Sequence, residues 1–143
     1  MQYKELGKSD LKVSEVGFGV WTVATNWWGK IEPDDGVKLL QDAFELGVTL
    51  FDTADTYSEG YGEEVLAKAL GNHRQEVIYS TKFGYDIYDS KPREGHKERP
   101  QKFEPEFIRY ACEQSLRRLK TDFIDLYQLH NPRVTAIQRD DVF

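Results

Sequence analysis

The sequence predicts an α/β fold built on a parallel sheet. Two observations carry this. The apolar pattern switches repeatedly between a strand-like period and the 3.6-residue period of a helix, and each strand-like run is followed by a helix before the next begins. A third observation concerns chemistry: an acid, an ammonium and an imidazole stand at the C-terminal ends of three successive strand-like runs. Right-handed crossovers between such strands put every helix on one side of a sheet that curls into a barrel.

The opening YKELGKSDLKVS predicts a hairpin with its turn near Gly7–Asp10, and EVGFGVW predicts a first barrel strand. A helix is expected over Pro33–Leu46. Proline suits its first turn, Asp34 and Asp35 favour its positive end, Gly47 stops it, and Val37, Leu40 and Phe44 share one face. Strand two is VTLFD, 48–52. A short helix follows over Glu63–Leu70, with Leu66, Ala69 and Leu70 together. Strand three is VIYSTK, 77–82. A long helix spans Pro105–Leu119, with a stripe of Ile108, Ala111, Cys112, Ser115, Leu116 and Leu119. Strand four is FIDLYQLH, 123–130, and RDDVF reads as the first turn of another helix. The charged stretch from Gly84 to Phe103 is long for a connection in a compact domain, and reads either as a functional loop over the site or as disorder.

The 143 residues suffice for one domain with a real core. At 39% hydrophobic and 31% charged residues the chain reads as soluble. It has neither an apolar run of membrane-span length nor the apolar core of a signal peptide at MQYKELGKSD, which gives a cytoplasmic expectation. The net charge of −6 argues against a nucleic-acid partner, yet leaves room for an anionic cofactor in a locally favourable pocket. Cys112 cannot form an internal disulfide and reads as a small packed side chain. No metal site is expected.

Active groups of parallel β/α barrels lie at the C-terminal ends of the strands. Asp52 ends strand two with Tyr57 just beyond it, Lys82 ends strand three, and His130 ends strand four. Strand alternation gives them one inward direction, shared with Leu50 and Val48, with Ser80 and Ile78, and with Gln128, Leu126 and Ile124. Phe51, Val77, Tyr79, Tyr127 and Leu129 then face the helices; Asp125 falls with them, where an acid is out of place. Each polar residue alone has an ordinary reading: Asp52 as an Asx turn, Lys82 reaching for solvent, His130 as a satisfied structural residue, Tyr57 as a loop aromatic. Their joint placement reads as a barrel enzyme with a polar site.

The segment GVTLFDTADTYSEGYGEEVLAKAL resembles the aldo-keto reductase signature, STKFG the lysine strand of that family, and DFIDLYQLHNP its histidine strand; the hairpin before GFGVW is similar to the one that closes the barrel bottom. The resemblance covers essentially the whole chain. It implies a TIM-type (β/α)8 barrel, of which residues 1–143 are the N-terminal hairpin and first four β/α units of a single domain, with the C-terminal half absent. It implies Tyr57 as general acid, Asp52 and Lys82 as the pair that tunes it, and His130 as the fourth member. It also implies NADP(H) as cofactor and a small aldehyde or ketone as substrate. Gly19, Val20, Trp21 and Asp52 match cofactor-binding positions. Trp21, Trp28, Tyr57, Tyr85 and His130 match the substrate pocket, with Trp27 and Tyr88 as further candidates. Gly19 also suits a tight strand bend, and the tryptophans suit anchors of their own loop. The family's later strands supply the nicotinamide stack and phosphate-binding groups, so these residues alone are expected to be inactive. Their exposed sheet edges are candidates for pairing half-barrels. The alternative readings are a nucleotide-sensing regulatory subunit and a purely structural half-barrel.

Overall fold

In the computed structural model, which describes residues 1–89 and 98–142, the apolar strands pair in parallel and the helices cover one face. The elements in chain order are β1 (Tyr3–Glu5), β2 (Lys12–Ser14), β3 (Phe18–Gly19), α1 (Trp21–Ala24), α2 (Pro33–Glu45), β4 (Leu50–Asp52), α3 (Tyr61–Leu70), a 3₁₀ segment (Gly71–Glu76), β5 (Ile78–Phe83), α4 (Pro105–Leu119), β6 (Leu126–Leu129) and α5 (Val134–Ile137). β1 and β2 form the antiparallel hairpin, and the main sheet runs β3-β4-β5-β6 with every neighbour parallel. The hairpin docks at the N-terminal end of the sheet. Ser14 and Thr49 exchange backbone and hydroxyl hydrogen bonds at 3.0 and 2.9 Å, and the Tyr3 hydroxyl donates to the Gly47 carbonyl at 3.0 Å.

Leu40 of α2, Leu66 and Leu70 of α3, Phe51 of β4, Tyr79 of β5 and Leu119 of α4 form one buried cluster between sheet and helices. Full burial of a side chain of this size contributes about 1.5–3 kcal/mol. Val48 and Ile124, expected to face inward, pack with this helix-side cluster instead. Both precede the paired stretches, so strand alternation does not yet govern them. A second cluster gathers Phe83, Phe103, Ala111 and Ala136 under the connection to α4.

Several boundaries differ from expectation for physical reasons. The first barrel strand is two residues rather than seven, because Val20 turns into helical conformation and its carbonyl accepts from the N–H groups of Val23 and Ala24. α3 begins at Tyr61 rather than Glu63, directly after Gly60 at φ 101°. The described part of RDDVF, residues 139–142, is not helical; among the described residues the last helical turn, Val134–Ile137, comes before it. In the long connection, the Asp86 N–H donates to Pro100 O and the Lys102 N–H to Gly84 O, so its two flanks lie side by side. Of the stretch 84–103, which reads as a functional loop or disorder, residues 90–97 lie outside the described residues.

Asp125 has its partner on the outward face. Arg74 Nη2 donates to Asp125 Oδ2 at 2.8 Å and to Phe123 O at 2.9 Å, Nε to Thr121 Oγ1 at 3.1 Å, and Nη1 to Val77 O at 3.0 Å. The same carboxylate oxygen accepts the Tyr79 N–H at 2.8 Å. The guanidinium lies 3.7 Å over the Phe123 ring. The pair thus closes the lower edge between β5 and β6. Its side chains are 9% and 10% exposed, so removing one partner strands a charge away from water. Asp125→Ala is expected to cost about 3–5 kcal/mol in urea unfolding, and Arg74→Met with Asp125→Leu distinctly less. Equal losses would mean that packing, not the charge, holds this edge.

Candidate active site

Strand register brings the polar residues together. Asp52 lies opposite Ser80, and Lys82 opposite Gln128. Ser80 Oγ donates to Asp52 Oδ2 at 3.0 Å, and Gln128 Nε2 donates to Ser80 Oγ at 2.6 Å. Three inward side chains therefore form one polar row across the sheet. Lys82, two residues past Ser80 on the same face, reaches back along this row. Its Nζ donates to Asp52 Oδ1 at 2.5 Å, to Thr53 O at 2.7 Å and to the Tyr57 hydroxyl at 3.3 Å. The Lys82 side chain is 17% exposed, and three acceptors surround its ammonium.

Tyr57 is carried by a tight loop. Its N–H donates to Ala54 O at 3.2 Å, and its carbonyl accepts the Gly62 N–H at 3.0 Å. Ser58, Glu59 and Gly60 then follow at φ 47°, 56° and 101°. Left-handed backbone at three consecutive positions is costly for side-chain-bearing residues, so surrounding contacts must hold it. Ser58 Oγ does so on one side, donating to Ala24 O at 2.5 Å. Gly62 is required by space: a Cβ there would stand 2.7 Å from Thr53 Oγ1 and 3.0 Å from Tyr57 Cβ.

His130 completes the group. Its ring stands edge-on to Tyr57 at 5.8 Å and to Tyr85 at 5.1 Å between centroids. Burial, helped by the nearby Lys82 charge and opposed by Asp52, pushes its pKa down to about 4. The imidazole is therefore neutral near pH 7. Nδ1 is buried without a hydrogen-bond partner, which leaves Nε2 as the nitrogen able to serve the cleft.

That cleft has a volume of about 930 Å³, and Trp21, Trp27, Tyr57, Tyr85, Arg99 and His130 are among the residues lining it. Trp28 is not: it is 79% exposed and stands edge-on to Trp21, so Trp27 rather than Trp28 forms the wall. Tyr88 also lies elsewhere, against α4, where its hydroxyl accepts from Arg118 at 3.2 Å. Glu59 and Arg99 pair across the rim, a contact that sequence reading missed because its members are 40 residues apart. Among the described residues, no group of three or more His, Cys, Asp or Glu is arranged to hold a metal ion.

A phenol, a pinned ammonium, a carboxylate and a neutral imidazole at one end of a parallel sheet can deliver a proton to a substrate oxygen and stabilise the charge left behind. Comparison with known proteins places the chain in a family. The Aldo/keto reductase family profile matches residues 15–139. The chain belongs to the aldo/keto reductase family. It is 42% identical over 130 residues to an uncharacterized oxidoreductase of Bacillus subtilis, covering 91% of this chain and 39% of that protein. It is 35% identical over 135 residues to a probable voltage-gated potassium channel subunit beta of Arabidopsis thaliana, covering 92% and 38%. The holo form of an aldo-keto reductase from Bacillus halodurans superposes with a TM-score of 0.79 at 36% identity, over 94% of this chain and 42% of the other. The chain thus spans about two fifths of the length of these relatives, and its sheet is the N-terminal part of a TIM-type barrel.

The family binds nicotinamide nucleotides, and the residues here fit one in part. Gly19, the register partner of Asp52, is exposed, and a Cβ there would meet nothing within 4 Å, so its backbone leaves an open floor beside the acid. Val20 offers nothing to a ligand. Its side chain is fully buried, its N–H donates to Asp52 O at 2.8 Å, and its carbonyl caps α1. Trp21 supplies a ring at the cleft wall. Of the described lining residues Arg99 alone is cationic, and Glu59 already holds it.

The depressed pKa of His130 links to stability with a definite sign. The unfolded imidazole, near 6.5, binds its proton more tightly than the folded one, so stability is lost as pH falls through 6.5 and levels off below about 4. Urea unfolding between pH 7 and 4 should therefore show a steeper loss for the wild type than for His130→Gln. Parallel losses would mean that the imidazole is charged in the fold.

Proposed function

We propose that this protein reduces the carbonyl group of a small aldehyde or ketone, with NADP(H) as hydride source and Tyr57 as proton donor. The observation that carries the reading is the Lys82 ammonium, fixed by Asp52 at 2.5 Å and aimed at the Tyr57 hydroxyl at 3.3 Å, beside a cleft with aromatic walls.

A bound nicotinamide supplies the hydride. Tyr57 gives its proton to the oxygen as negative charge develops there, and Lys82 stabilises the phenolate that remains. Asp52 fixes the ammonium in place. Neutral His130 donates a hydrogen bond to the same oxygen, which orients the carbonyl without introducing a second acid of competing charge. Trp21, Trp27 and Tyr85 exclude water and favour an apolar body behind the reacting group.

A nucleotide-sensing regulatory subunit is the second reading, supported by the likeness to a protein named a potassium channel subunit beta. Turnover of 4-nitrobenzaldehyde with NADPH separates the two: reduction supports the enzyme, and NADPH binding without reduction supports the sensor.

Tyr57→Phe keeps the ring and removes the transferable proton. In the complete protein it is expected to cut carbonyl reduction by about 10²–10⁴-fold and leave NADPH affinity nearly unchanged, as read by NADPH fluorescence. Wild-type turnover would assign the proton to another acid. The 143 residues on their own should neither bind NADPH at micromolar concentration nor reduce an aldehyde. Hydride and proton donors must be held on either side of one carbonyl, and this cleft has no free cation among its described lining residues to hold a phosphate. Fluorescence titration of mass-verified chain tests this, and tight binding would place a cofactor site within these residues.

A further inference from the structure

On the helix side of the sheet, behind the Tyr57 loop, lies a second cluster of ionisable groups that the reduction chemistry does not use. Asp55 is fully buried, and neither carboxylate oxygen makes a hydrogen bond of good geometry. Glu63 of α3 is fully buried too, but satisfied: Oε1 accepts from Thr81 Oγ1 of β5 at 2.6 Å and Oε2 from Arg118 Nε of α4 at 2.6 Å. Arg118 Nη2 also donates to the Tyr88 hydroxyl at 3.2 Å and, longer, to Ser115 Oγ at 3.4 Å. Tyr127 of β6 faces the cluster with a buried, unpartnered hydroxyl, and Cys112 of α4 stands beside it. The one guanidinium is thus bonded to Glu63, while Asp55 lies close enough to feel its charge but makes no bond to it.

This cluster is mechanically tied to the reacting phenol. The Asp55 N–H donates to Lys82 O at 3.1 Å, and Tyr57 follows two residues later. At the other end of the loop, Arg118 lies directly on Gly60, where a Cβ would come 2.5 Å from Arg118 Cδ. Arg118 thus packs against the left-handed turn Ser58–Gly60 that fixes where Tyr57 stands.

We propose that Asp55 is a positioning residue that must carry its proton for Tyr57 to stand against Lys82. As a neutral carboxyl it leaves Arg118 to Glu63; as an anion it competes for the guanidinium and displaces the Gly60 turn. Burial, and next the Glu63 charge, push the Asp55 pKa up to about 8, against the pull of Arg118 and of the Thr56 N–H, so the change falls on the alkaline side of neutrality. Its effect on rate rests on the reductase reading; its effect on the position of Tyr57 does not.

The test follows two NMR signals from about pH 6 to 9.5 in the complete protein: the ¹³C-labelled ring of Tyr57, assigned with Tyr57→Phe, and the carboxyl carbon of Asp55. Both should move with one midpoint near 8. The Tyr57 step should vanish in Asp55→Asn, whose amide mimics the protonated acid, together with the decline in kcat that accompanies it in the wild type. An Asp55 carbon titrating near 4, a Tyr57 ring that does not follow it, or a Tyr57 step that survives in Asp55→Asn would overturn the proposal. Should Asp55→Asn fail to fold, the shared midpoint in the wild type decides, and Arg118→Lys should move both signals to a new common midpoint. A shared Tyr57 step without any aldehyde turnover would sustain the coupling and overturn the reductase reading instead.

Discussion

A lysine ammonium drawn back from water at the rim of a parallel sheet makes demands that organise everything around it. A charge so placed is tolerated only if paired and fully hydrogen-bonded, and Lys82 meets this through Asp52, the Thr53 carbonyl and the Tyr57 hydroxyl. Asp52 can serve because parallel pairing sets it opposite Ser80, two residues short of Lys82 on the same face. Thr53 can serve because its N–H is anchored to Ser80 O at 2.8 Å, which aims its carbonyl at the rim. The hairpin, docked on Thr49 and Gly47, fixes the start of β4 and so the height of Asp52. Strand register, hairpin and loop thus converge on one cation, and the role proposed for Tyr57 follows from where that cation is held.

Much of this was legible in the residues. Alternation gave the inward row of Asp52, Ser80, Lys82 and Gln128, because a regular paired strand must send every second side chain to one face. It misjudged Val48 and Ile124, which lie before pairing begins, and it stretched β3 into a segment where Val20 and Trp21 had already turned into helix. The glycine-bearing run GFGVW looks extended on paper. Only the tertiary contact between Val20 and Asp52 shows where the strand stops.

Less legible were contacts whose members lie far apart in the chain. Arg74 and Asp125 are 51 residues apart, and Glu63 and Arg118 are 55 apart; no local pattern announces either pair. The one available signal was an acid at an outward strand position, Asp125, which implies a buried cation somewhere. The same logic applies to Asp55 and Glu63, two acids that the fold buries completely. The tryptophans mislead for a related reason: Trp27 and Trp28 are adjacent, and only the fold of their loop decides that Trp27 lines the cleft.

In the proposed reduction Lys82 acts through Tyr57 rather than independently of it. A double-mutant cycle on carbonyl reduction with Tyr57→Phe, Lys82→Met and the double variant tests this most directly. If the ammonium serves to stabilise charge on the phenol oxygen, the double variant will be no slower than Tyr57→Phe alone, because the phenylalanine leaves nothing for the cation to stabilise. If the two losses multiply, Lys82 has a role of its own, and the account of the site built on its contact with Tyr57 is contradicted.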